Sequence, residues 1–153
     1  MTTFIGDYNC KLDAKGRVIL PSAFRKLLNG DSEHRCVLRK NLYEKCLDLY
    51  PLVEWERQTQ IVRSKLNPFD KTHAGFLREF FRGTAEVQID SNGRILIPKK
   101  FFDFAGFSKD IILAGQDGKI EIWDEKSYQQ VAWSEEGFSD LANEILGGKP
   151  EED

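Results

Sequence analysis

The chain has 153 residues, 31% of them charged and 41% hydrophobic, and a formal net charge of −3. That length suits one domain or two small halves sharing a core. It has no apolar run long enough to span a membrane and no signal-peptide pattern, so the expectation is a cytoplasmic protein without a membrane partner. Cys10, Cys36 and Cys46 form an odd set, expected as buried free thiols in a reducing compartment. The net charge hides an asymmetry. From Ser134 onward Glu135, Glu136, Asp140, Glu144, Glu151, Glu152 and Asp153 face only Lys149, while the first half of the chain carries an excess of Lys and Arg. A basic excess suits an anionic partner without requiring one.

In chain order, Tyr8, Cys10 and Leu12 alternate with polar residues at the period of a half-buried strand. Asp13-Ala14-Lys15-Gly16-Arg17 reads as a tight turn in which Gly16 supplies a positive φ. Val18-Ile19-Leu20 is three apolar residues in succession, a pattern that predicts a strand buried on both faces. Pro21 then suits the first position of a helix with Phe24, Leu27 and Leu28 on one stripe, ended by Asn29-Gly30. Strands follow at Val37-Leu38 and Leu47 to Tyr50. A helical insert comes next, with Leu52, Trp55, Thr59, Val62 and Leu66 on one helix, a break at Asn67-Pro68, and Ala74, Leu77, Phe80 and Phe81 on a second.

The pattern then repeats. Asp13 returns as Asp90, Gly16 as Gly93, Arg17 as Arg94, Pro21 as Pro98 and Phe24 as Phe101, all at an offset of 77. A duplication in unbroken register implies two copies of one supersecondary unit. The second copy continues through Ile112-Leu113, a hairpin turn at Gln116-Asp117-Gly118-Lys119, and Ile120 to Trp123. Asp124 is expected to cap a helix carrying Tyr128, Val131 and Ala132, and Phe138, Leu141, Ala142 and Ile145 mark a last amphipathic stretch. The boundaries are a first repeat at 4–52, the helical insert at 53–82, a second repeat at 83–125, C-terminal helices at 126–146 and an acidic disordered tail at 147–153. The fold class is α+β.

The repeated Asp-x-x-Gly-Arg turn admits two readings. In one, Asp13 and Asp90 hydrogen-bond the backbone and pair with Arg17 and Arg94, and all four are structural. In the other, each Asp orients an arginine fork toward guanine O6 and N7 or a phosphate, and the turn reads nucleic acid. Lys15 adds a phosphate-seeking charge to the first turn; Asn92 lacks it in the second. Arg25 and Lys26 on the first helix, with Lys99 and Lys100 after the second turn, are candidate phosphate contacts or else a solvated face. A zinc site from Cys10, His34, Cys36 and Cys46 matches no ligand spacing, so no metal and no cofactor is expected. No nucleophile, base and metal set converges, so no enzyme is expected.

The chain resembles the MraZ family of bacterial transcriptional regulators, encoded at the head of the division and cell-wall gene cluster. The resemblance covers nearly all of residues 4–133. It rests on Leu12 to Pro21 with Phe24-Arg25, on Leu47-Asp48-Leu49-Tyr50-Pro51 with Glu54-Trp55-Glu56, on Asp90 to Pro98, and on Ile120 to Asp124. It implies a tandem pseudo-two-fold swapped-hairpin β-barrel similar to AbrB and MazE. It also implies a homo-oligomeric ring that binds repeated promoter sites in double-stranded DNA. On that basis the chain is a sequence-specific repressor at the nucleoid, with Arg17, Arg94, Lys15, Asp13, Asp90, Arg25 and Lys99 in or beside the DNA contact. The alternative is a protein-interaction or antitoxin-like assembly module of the same fold, with the acidic tail meeting a protein partner.

Overall fold

The computed structural model describes residues 3–29 and 34–147, and everything below concerns those residues. The expected helix stop at Gly30 and the tail at 148–153 lie outside them. The chain is α+β with antiparallel sheets. Within each copy two strands form a hairpin: β3 (Arg35–Lys40) with β4 (Leu47–Pro51), and β7 (Asp110–Gln116) with β8 (Lys119–Asp124). The first strand of each copy pairs with the other copy. β1 (Asp7–Lys11) runs antiparallel to β7, and β5 (Thr84–Gln88) to β3. The two hairpins join through β4 and β8, giving the six-stranded order β1-β7-β8-β4-β3-β5. The short strands β2 (Arg17–Ile19) and β6 (Arg94–Leu96) pair only with each other, as a separate ribbon.

These registers describe a pseudo-two-fold axis. Val18 sits opposite Ile95, its repeat equivalent, with Arg17 opposite Leu96 and Ile19 opposite Arg94. At the other junction Asp48 lies opposite Glu121, with Leu47 opposite Ile122 and Leu49 opposite Ile120. A closed barrel is not formed among the described residues. The sheet ends on β1 and β5, and the three-residue β2 and β6 are too short to bridge those edges in ladder register.

One core holds both copies. Phe24 and Phe101, equivalent by the repeat, are both fully buried, on helices α1 (Ser22–Asn29) and α4 (Lys100–Ala105). Val18 and Ile95 pack in the same cluster as Leu38, Leu49, Leu113 and Ile122. The ring of Phe24 is approached edge-on by Phe4 and Tyr8 at 5.6 and 4.9 Å. α4 ends at Gly106 in the left-handed region, and the β7–β8 hairpin turns through Asp117 at φ +60 followed by Gly118.

The insert consists of α2 (Leu52–Ser64) and α3 (Lys71–Arg82). Asp70 caps α3 by accepting from the backbone N–H groups of Thr72 and His73, and His73 Nδ1 accepts from the N–H of Asn67, closing the loop between the helices. His73 is thus a loop fastener. Trp55 stacks on Phe80 at 5.9 Å, and the buried Arg39 guanidinium lies 4.2 Å over the Phe80 ring. α5 (Glu125–Gln130) starts at Asp124. Burial opposes ionisation of that carboxyl, but hydrogen bonds from the Ser108 N–H and hydroxyl hold it below the usual range. α6 (Glu135–Leu146) carries Phe138, Ile145 and Leu146 exposed.

All three cysteines are free thiols, but only Cys36 and Cys46 are buried; Cys10, on the edge strand β1, is partly exposed. Burial pushes the Cys36 thiol up to about 12 and raises Cys46 as well, by burial and by the nearby carboxylates of Glu121 and Asp48. Iodoacetamide on the folded protein at pH 8 should therefore label Cys10 first and leave Cys36 and Cys46 unmodified until denaturant is added. Peptide mass mapping reads the order; early labelling of Cys36 would contradict the packing.

Candidate nucleic-acid interface

The two Asp-x-x-Gly-Arg turns are built alike. Asp13 Oδ1 accepts from the backbone N–H groups of Lys15 and Arg17, each at 2.9 Å, and Asp90 Oδ1 accepts from those of Asn92 and Arg94 at the same distances. The remaining carboxylate oxygen takes Nε of the arginine, at 2.7 Å for Arg17 and 2.9 Å for Arg94. Gly16 and Gly93 have φ of +87° and +76°, a region an L side chain rarely enters. The structural reading of the turn is therefore true as far as it goes: each Asp is committed to the backbone and to Nε. Among the described residues, no hydrogen bond reaches Nη1 or Nη2 of Arg17 or Arg94. The fork ends stay open, held in one orientation by the aspartate behind them.

Backbone hydrogen bonds lock the turns to each other. The Leu20 N–H donates to the Gly93 carbonyl and the Ile97 N–H to that of Gly16, both at 2.9 Å, so each turn is fastened to the other copy's strand. The two arginine positions are offset by two residues along the ribbon, about 7 Å at about 3.4 Å per residue. That matches about two base-pair steps of B-DNA.

The electrostatics of the turns follow from these bonds. The Asp13 carboxyl lies below its ordinary value because the Arg17 backbone N–H, the Arg17 side chain and the Lys15 N–H all favour the charged form; Arg94 and Asn92 do the same for Asp90. A carboxyl depressed on folding contributes stability above its unfolded pKa, and that contribution is lost as pH falls through the folded value. Both turns should thus stay intact at pH 5. An NMR carboxyl-carbon titration should place Asp13 and Asp90 below an unstructured peptide's Asp; midpoints at or above that reference would contradict the turn geometry.

Other expected contacts fall differently. Lys15 and Lys99 are exposed, as a phosphate contact requires, and so is Lys26. Lys100 is exposed too, but its Nζ is engaged within the chain, donating to the Thr84 carbonyl at 3.0 Å and lying over the Phe101 ring. Arg25 lies across the second turn, although it belongs to the first copy. A Cβ added at Gly93 would come within 1.8 Å of Arg25 Nη1, so the guanidinium rests directly on that turn. At the equivalent place on the first turn, the Phe102 ring would stand 3.0 Å from a Cβ at Gly16. The second turn has Asn92 in place of Lys15, and Arg25 supplies a cation beside it. No local signal in the sequence reveals that exchange, because it depends on how the copies pair.

The strand after each turn also departs from its sequence pattern. Val18 and Leu20 are buried but Ile19 is 62% exposed; Ile95 and Ile97 are buried but Leu96 is 53% exposed. The ribbon alternates, with one face on the core and the other in solvent.

A second unforeseen cluster lies where β4 meets β8. Asp48, 2% exposed, faces Glu121, and Lys119 Nζ stands 2.9 Å from Asp48 Oδ1 and 3.7 Å from Glu121 Oε2. Asn41 Nδ2 donates to both carboxylates, and Trp123 Nε1 to Glu121. Cys46 joins the two carboxylates in a grouping with metal-ligand donor types, but Lys119 already supplies the balancing cation. The cluster staples the two halves at the axis. Cys10, His34 and Cys36 are not part of it; His34 meets Asn29, at 2.9 Å. No helix among the described residues is long and apolar enough to cross a membrane.

Fold and site together define a tandem-repeat α+β protein that presents two matched arginine turns on one symmetric ribbon. The family model described as "MraZ protein, putative antitoxin-like" matches twice in succession, at residues 3–79 and 80–147. The chain is 40% identical over 148 residues to a protein named transcriptional regulator MraZ from Flavobacterium psychrophilum, covering 96% of this chain and 94% of the relative. It is 39% identical over 153 residues to one from Bacteroides thetaiotaomicron, covering 100% and 98%. With one from Acetivibrio thermocellus it shares 41% over 133 residues, covering 86% and 88%. The chain belongs to the MraZ family.

Proposed function

We propose that this chain is a sequence-specific DNA-binding transcriptional regulator that reads double-stranded promoter repeats through Arg17 and Arg94. One observation carries the reading: two arginines sit on matched turns of a single two-fold ribbon, each held through Nε with its outer nitrogens open. An Arg fork held this way suits the O6 and N7 acceptors of guanine, and a two-stranded ribbon fits the major groove. Asp13 and Asp90 position the forks. Lys15, Arg25 and Lys99 contact phosphates. The relatives' names support a regulatory role. The interlocked strands of the two copies are read as the swapped hairpin of AbrB-like proteins, with a homo-oligomeric ring lining up several chains on successive repeats. Action as a repressor of the division and cell-wall gene cluster, at the nucleoid, follows the family resemblance alone. The chain is not an enzyme in this reading. A second reading, a protein-interaction module, is favoured by the exposed apolar residues of α6; a chain that selects no duplex from a randomised library would shift the assignment to it.

The division of labour within the turns is testable. Lys15→Asn and Arg25→Gln should each weaken binding to all duplexes alike, and each should flatten the plot of log affinity against log salt by about one for every phosphate left without its cation. Arg17→Lys keeps the charge and loses the fork, so it should relax sequence discrimination with little change in slope. Fluorescence anisotropy at several salt concentrations, on a selected and a scrambled duplex, separates these outcomes. The opposite pattern would invert the roles.

A further inference from the structure

We propose that Ile19 and Leu96 determine part of the sequence preference, by packing against thymine 5-methyl groups beside the bases that the arginines read. The inference rests on the DNA-reading assignment of Arg17 and Arg94. Its basis is the outer face of the β2–β6 ribbon. Val18 and Ile95 point into the core at 1% and 0% exposure, so alternation places Arg17, Ile19, Arg94 and Leu96 together on the outside. The register sets Ile19 directly across from Arg94 and Leu96 across from Arg17. The same pairing occurs twice, an arginine of one copy opposite an aliphatic residue of the other, with their Cβ atoms about 5 Å apart across the ribbon.

Both aliphatic positions are exposed, so packing within the chain does not demand them. Whatever the arginines enter, Ile19 and Leu96 enter with them. The major-groove edge of a base pair is mostly hydrogen-bonding atoms, and its one apolar group larger than a C–H is the thymine methyl. An aliphatic side chain pressed on the polar edge atoms would strip their water and return nothing. On a thymine methyl it gains the burial of both surfaces. Hydrogen-bond complementarity selects DNA as the occupant of this face: each arginine is paired through Nε with its own aspartate, and its outer nitrogens are left as donors that match the guanine O6 and N7 acceptors. The expected preference is a thymine one or two base pairs from each arginine-read guanine, twice, about the ribbon axis.

The test uses the full-length wild-type protein and chemically altered DNA. Duplexes enriched by the protein from a randomised library are resynthesised with uracil in place of each thymine in turn, which removes the methyl and nothing else. At one or two positions near the guanines, uracil should cost about fourfold in affinity, the equivalent of ~0.8 kcal/mol for one buried methyl-sized group. The Ile19→Ala/Leu96→Ala protein, whose thermal transition should match wild type since both residues are exposed, should bind the thymine duplex more weakly and be indifferent to uracil. Enriched sites that lack thymine near the guanines, or uracil without effect at every position while selective binding persists, would overturn this inference and leave the arginine assignment standing. A change in oligomeric mass of the double variant without DNA, together with no uracil effect, would assign the face to a second copy of the chain instead. Failure of the wild-type protein to select any duplex would remove the DNA reading itself, and this inference with it.

Discussion

Replacing Arg17 and Arg94 together with alanine should abolish selective DNA binding while leaving the fold intact. Each arginine ends in an open fork, and a bidentate base contact is worth about 1–3 kcal/mol of discrimination. Loss of both therefore costs a single chain about 2–6 kcal/mol, a factor of about 30 to more than 10⁴. In an assembly that engages several repeats the losses compound. Either single variant should fall between wild type and the double variant. The aspartates keep their backbone hydrogen bonds in all three proteins, so the turns persist. Affinity for a selected duplex, measured beside a thermal transition, reads both quantities. A double variant with wild-type selectivity would make the turns purely structural.

Phe24→Ala and Phe101→Ala should be the most destabilising of these single changes. Both rings are fully buried and occupy equivalent places in the one shared cluster. Truncating a buried Phe costs about 3–5 kcal/mol through lost transfer energy and the cavity left behind. At about 3 °C per kcal/mol for a chain of this size, the midpoint should fall by about 10–15 °C. Each variant should still unfold in one cooperative transition, because β1 and β5 pair across the copies and neither half keeps a complete sheet alone. Calorimetry that shows two transitions, only one of them shifted, would mean the copies fold independently and would contradict the topology.

The parts of this architecture written in local chemistry are legible in the sequence. Gly16 and Gly93 announce positive φ, Asp117-Gly118 announces a hairpin, and Asn67-Pro68 announces the gap between the insert helices. The unbroken repeat announces two copies. Other features are not legible, each for a physical reason. The pairing of β1 with β7 and of β5 with β3 depends on long-range register, which no local pattern encodes. Three successive apolar residues at Val18-Ile19-Leu20 imitate a fully buried strand, because an aliphatic residue that faces solvent looks the same in sequence as one that faces the core. Sequence proximity puts Arg25 beside its own turn, whereas the interlocking carries it to Gly93. The Asp48–Lys119–Glu121 staple leaves no local trace, because Asp48 is far in sequence from the other two and joins them only at the axis.

The most direct test is one comparison: the affinity of the wild-type chain for a duplex enriched from a random library against its affinity for the scrambled duplex, at physiological salt. Specific protein–DNA complexes are typically about 10³-fold or more tighter than their nonspecific counterparts. A ratio of that order, collapsing toward one when Arg17 and Arg94 are both alanine, is the result the two-turn ribbon predicts. Equal affinity for the two duplexes, or a ratio untouched by the double substitution, would contradict it.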